Sequence, residues 1–147
     1  MPDGKRTTKV VEIRIEERGK DGEKNPGSVI PGNLRVSQGE RIIWFASQRI
    51  PPELPSAPPS GSYDEKATRL TNATIILSFQ TTDGTPFKNE KGVRVDRLQG
   101  RDTIAVTVPA GATKGGKETI YHYGVEVLEG EKVIFRDLHC PEIIIDR

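Results

Sequence analysis

Between Val11 and Glu16 apolar and charged residues alternate without a break: Val11, Ile13 and Ile15 fall on one side, Glu12, Arg14 and Glu16 on the other. A period of two is the repeat of an extended strand with one buried and one wetted face. The pattern returns along the chain. No segment carries an apolar stripe at i, i+3, i+4 and i+7 through three turns with a cap, as a helix would need. The core must therefore be buried between sheets.

The repeat predicts strands over Asn33 to Val36 and Arg41 to Ala46, with Ser37-Gln38-Gly39-Glu40 as the turn between them. ATIILSFQ is a further strand, ended by Thr82-Asp83-Gly84-Thr85-Pro86. DTIAVTV follows and is closed by Pro109. ETIYHYGVEVL is the longest, with Tyr121, Tyr123, Val125 and Val127 on one side. Glu129-Gly130-Glu131 turns the chain so that KVIFRD can pair back, and PEIIID finishes. About seven or eight strands between Gly/Pro turns predict an all-β antiparallel Greek-key sandwich, and 147 residues suit one domain, 1–147.

One stretch breaks the rhythm. From about residue 48 to 70 the chain carries Pro51, Pro52, Pro55, Pro58 and Pro59, too many for a simple turn. Pro52-Glu53-Leu54-Pro55 and Pro55-Ser56-Ala57-Pro58 fit the PxxP pattern of polyproline II ligands. A stiff surface loop inserted between the sheets carries the same residues and is the simpler reading.

A net charge of +1 with interspersed signs gives no bulk field for nucleic acid or an acidic membrane, and 5% aromatic residues leave little for base stacking. One cysteine permits no internal disulfide, which fits a reducing compartment. The N-terminal apolar stretch is interrupted by Glu12, Arg14 and Glu16 and cannot be the apolar region of a signal peptide. No run approaches the roughly 20 apolar residues of a membrane helix. The expectation is a cytoplasmic protein. Asn72-Ala73-Thr74 then matches a glycosylation acceptor by chance.

Leu34 to Trp44, LRVSQGERIIW, follows the pattern xVxxGDxVxW; Tyr121-His122-Tyr123-Gly124-Val125 follows YxYxC; Glu142 to Asp146 follows a final GxIxV strand. SFQTTDGTPF, Ser78 to Phe87, matches a middle strand and its SPF turn. In this order, from about Leu34 to the end without the Pro-rich segment, the chain resembles the cupredoxin-like β-sandwich family. An immunoglobulin-like sandwich is the rival, but it explains the late Tyr-x-Tyr strand less well.

The copper chemistry of that family implies two His, a Cys thiolate and usually a weak axial Met. After Trp44 the chain reads Phe45-Ala46-Ser47-Gln48-Arg49, with no His. Val125 stands at the Cys position and Val127-Leu128-Glu129 where the second His belongs. Met1 is the only methionine. All four positions depart from the pattern, so the resemblance implies a member without the copper centre.

His122, His139 and Cys140 remain as an alternative metal or redox set. His122 alternates with Tyr121 and Tyr123, so it faces solvent if the tyrosines face the core. His139 and Cys140 are adjacent and would point to opposite faces of a strand. The preferred reading places Leu138 and Cys140 as small packing at the entrance of the last strand, with His139 on the surface and Pro141 at a first-residue or edge position.

Gly111, Gly116 and Lys117 satisfy most of a phosphate-binding loop, but Glu118 stands where its hydroxyl residue belongs and a strand follows instead of a helix. A mobile hairpin connection explains these glycines better. No His is placed to serve a nucleophile, and the carboxylate pairs Glu129/Glu131 and Asp64/Glu65 lie in turns and loops. Arg94, Arg97 and Arg101 could form a small cationic patch, which Asp96 and Asp102 would largely neutralise. A ligand-binding or carbohydrate-binding sandwich would draw on Trp44 and Tyr63, though Trp44 suits the core.

The sequence thus points to a non-enzymatic sandwich without cofactor or catalytic residues. It would bind a protein partner or itself, and neither nucleic acid nor membrane. The surfaces it nominates are the Pro-rich loop, the Asp83-to-Phe87 turn, the Gly-rich loop and the last strand, if that strand lies on an edge.

Overall fold

In a computed structural model the chain is described over residues 7–16, 27–49, 67–80, 84–137 and 141–146. The strands are β1 Thr8–Ile15, β2 Gly27–Ile30, β3 Asn33–Ser37, β4 Arg41–Arg49, β5 Ala67–Arg69, β6 Ala73–Phe79, β7 Arg97–Arg101, β8 Thr103–Thr107, β9 Thr119–Glu129, β10 Lys132–Asp137 and β11 Glu142–Asp146. No helix occurs among the described residues.

Two sheets form. In the five-stranded sheet β2, β1 and β4 lie in that order; the far side of β4 carries β8 along Arg41 to Phe45 and β5 along Ser47 to Arg49. In the six-stranded sheet the order is β3, β11, β9, β6, β7. β10 pairs with the second half of β9, after β11 has paired with its first half. The predicted antiparallel arrangement needs correction: β1 runs parallel to β4, and β3 parallel to β11. Both sheets are mixed, in keeping with a β-sandwich.

The alternation works as expected. Val11, Ile13 and Ile15 of β1 and Tyr121, Tyr123, Val125 and Val127 of β9 are fully buried. They meet Ile42, Trp44, Ile75, Leu77, Phe79, Phe87, Ile143 and Ile145 in one core. Each such side chain contributes about 1.5–3 kcal/mol by leaving water. A bulge between Val133 and Phe135 turns two consecutive residues, Ile134 and Phe135, inward.

The chain changes sheets at tight corners. The turn after β3 is closed by the Glu40 amide donating to Ser37 O at 3.1 Å, with the Glu40 carboxylate accepting from the Ser37 amide at 2.7 Å. It joins strands of opposite sheets. The step from β7 to β8 takes one residue, Asp102, at φ 69°. The Asp102 amide donates to Ala73 O at 2.7 Å, and its carboxylate accepts from the Ala73 amide at 3.0 Å. A Cβ on Gly100 would lie 2.2 Å from Thr103 O, so this corner admits only glycine.

Three expectations are revised. β2, β5 and β7 are strands that the alternation did not register, β4 and β5 narrow the expected loop of about 48–70, and eleven strands among the described residues replace seven or eight. β11 is not an edge: β3 and β9 flank it. Pro141 precedes it, with its carbonyl accepting from the Tyr123 amide at 3.1 Å. The Pro-rich stretch 50–66, with Tyr63, and residues His139 and Cys140 lie outside the described residues.

Candidate binding surfaces

The stretches set against the copper ligands in the sequence put several residues into the core. Val125 and Val127 are wholly buried in the core, and Ala46 is buried beside Trp44. His122 lies on the outer face of the six-stranded sheet, its Nε2 3.2 Å from Glu142 Oε2. No group of three His, Cys, Asp or Glu side chains converges among the described residues.

Trp44 is wholly buried and offers no ring to a sugar. Its indole N–H donates to Tyr123 Oη at 3.2 Å, and Phe79 and Phe87 meet the pair edge-on or tilted at 5.5–6.2 Å. Burial pushes the Tyr123 hydroxyl up to about 12, despite the indole hydrogen bond.

The Gly-rich loop is occupied by internal bonds. In Lys114-Gly115-Gly116-Lys117 both glycines have positive φ, and the Lys117 amide donates to Lys114 O at 3.2 Å. Thr119 Oγ1 accepts from the Lys114 amide and donates to Lys117 O. The connection leads from β8 in one sheet to β9 in the other, so it is no hairpin between paired strands. Arg94 and Arg101 spend donors on Thr85 O and Asn72 Oδ1. The Asp102 carboxylate accepts from the Ala73 amide.

The outer faces of the two sheets differ. On the six-stranded sheet, Arg136 pairs with Glu126 at 2.8 Å, Arg35 pairs with Glu118 and Asp146, and His122 contacts the Glu142 carboxylate. Exposed Ile120 lies on the same face, directly opposite half-buried Ile144. On the five-stranded sheet, Val10, Ile43 and Ala105 sit abreast across β1, β4 and β8. The next row holds Ile30, Glu12, Phe45 and Thr103. Val10 is 51% exposed and Ile30 40%; Ile43 and Phe45 are half-buried and Ala105 is exposed. Polar rows bound this patch: Thr8, Arg41 and Thr107 at one end, Arg14, Ser47 and Arg69 at the other.

Two contacts hold the charges, Arg69 at the patch margin and Glu12 within the patch between Ile30 and Phe45. Arg69 lies over the Phe45 ring at 5.5 Å. Burial alone would raise the Glu12 carboxyl. Hydrogen bonds from Arg14 and Ser47, together with the Arg14 charge, outweigh it and hold Glu12 below the usual carboxylate value.

Strand alternation identifies one apolar face of a strand and is silent on a second. The signal was present in the run Ile42-Ile43-Trp44-Phe45-Ala46, where the polar phase is missing. A strand apolar on both sides is covered on both sides, or exposes one of them. Compared with known proteins, the chain matches no family model and no curated protein.

Proposed function

We propose that this protein is a non-enzymatic β-sandwich acting in protein–protein interaction or assembly. The observation that carries this reading is the apolar patch of Val10, Ile30, Ile43, Phe45 and Ala105 on the five-stranded sheet. A contiguous apolar surface rimmed by polar residues is the usual form of a protein contact site. The opposite sheet, of similar size, carries charge pairs and suits solvent.

The finer fold assignment is a cupredoxin-like Greek-key sandwich without a copper centre. Support comes from the parallel ladders β1·β4 and β3·β11, and from the passage of the chain from one sheet to the other between β2 and β3. Valine at positions 125 and 127, inside the core, supports the loss of the metal ligands.

Affinity capture with the intact protein tests the interaction reading, using Val10→Asp against Ile120→Asp as a control on the other sheet. Proteins bound by the native chain and the Ile120 variant, but at least tenfold depleted with Val10→Asp, are the expected result. The same bound set with all three would remove the patch from the interaction.

A further inference from the structure

We propose that β8 is the edge through which two copies of this chain join, antiparallel about a two-fold axis at Ala105. This deepens the interaction reading by assigning a second copy as one partner, and it rests on a different structural element.

The backbone of β8 is half-used. The Val108 amide donates to Glu40 O at 2.8 Å, which turns residues 104, 106 and 108 toward β4. Ala105 and Thr107 therefore direct their N–H and C=O groups away from the sheet, while the Thr103 carbonyl faces Gly100. No other described strand pairs with β8. Ala105 and Thr107 are also exposed.

A free strand edge is a template for another strand unless something blunts it. The other edges are blunted. β2 has four residues and ends at Pro31, and β5 has three residues. β3 runs into the Ser37–Glu40 turn, and its Arg35 is held by Glu118 and Asp146. β10 carries the bulge. β7 presents Arg97 and Arg101, both exposed. β8, Thr-Ile-Ala-Val-Thr, has no charge, proline, glycine or bulge.

Its sequence is also self-complementary. A two-fold axis at Ala105 sets Ala105 against Ala105 of the partner subunit and Thr103 against Thr107 of the partner subunit. Thr–Thr pairs across antiparallel strands are favourable. The same operation applied to β7 about Gln99 would set Arg97 against Arg101 of the partner subunit, which like charge opposes. On the outer face the joined edge would carry the row Val10, Ile43, Ala105 across into the other copy. On the inner face, half-buried Val106 would meet Ile104 of the partner subunit. A closed two-fold contact of this kind uses one surface twice.

Sedimentation of the intact protein from micromolar to millimolar concentration tests the proposal. The native chain should show a concentration-dependent dimer. Ala105→Lys and Ala105→Glu should each be monomeric at every concentration where the native chain is dimeric. An equimolar mixture of the two should recover the dimer, because opposite charges then face each other; recovery also shows that both variants fold. A native chain that stays monomeric throughout overturns the proposal, as does a dimer indifferent to Ala105→Lys. Either failure leaves the interaction reading standing if capture still depends on Val10; loss of that dependence with the dimer intact would sink only the patch.

Discussion

Tyr123 takes a hydrogen bond from Trp44 in the middle of the core and is itself wholly buried. Tyr123→Phe removes that acceptor and strands the indole N–H away from water, at a cost of about 1–3 kcal/mol in a denaturant titration. The pH dependence has a definite sign. The fold holds the phenolic proton up to about pH 12, while the unfolded chain releases it near the ordinary value of 10.0. Stability is therefore fully present below about pH 10 and falls by about 1.4 kcal/mol per pH unit until pH passes about 12. Denaturation midpoints of the native chain should fall across that window, and Tyr123→Phe should lose this part of the slope. Gly100 is the second exacting residue. Gly100→Ala forces its new carbon against the Thr103 carbonyl and Ile104 Cγ1. Backbone has to move, and a loss of about 2–4 kcal/mol is expected. Gly32→Ala, whose nearest contact is Val29 O at 3.7 Å, should change stability by less than about 1 kcal/mol in the same assay.

The strands differ in how openly the sequence announces them. β1, β6, β9 and β11 were legible because each has a strictly apolar phase whose residues all reach the core. β7 was not, since Arg-Leu-Gln-Gly-Arg has one apolar residue and a glycine that reads as a breaker. That glycine marks the place where the chain leaves one sheet for the other. β2 is four residues long, too short for a period to show. Parallel pairing was hidden for a different reason. Alternation reports which face is buried and carries no information about the direction of the neighbouring strand. The candidate surface was missed at the same level: β4 is apolar on both faces, and its buried half, Ile42 and Trp44, explained the strand well enough to stop the search.

At the scale of the whole molecule, the two sheets divide the work. The six-stranded sheet faces water with paired charges and contributes the tyrosines and most of the aliphatic core. The five-stranded sheet contributes Trp44 and carries an apolar patch on its other side. The distribution would be wasteful in a domain that touches nothing, because the exposed apolar area adds no folding stability and invites association. It suits a domain whose outer wall is one half of a contact.

The place of β11 has a consequence for how the protein can be made. Among the described strands β3, in the first third of the chain, pairs only with β11, and the ion pair Arg35–Asp146 spans 111 residues of sequence. During synthesis β3 therefore waits, with its backbone unpaired, until residues 142–146 have cleared the ribosome. A chain stopped after Pro141 should lack a cooperative unfolding transition. In hydrogen exchange, amide protection at Leu34 and Val36 should be lost first. Those five residues are the seam of the six-stranded sheet, and without them β3 loses its partner strand.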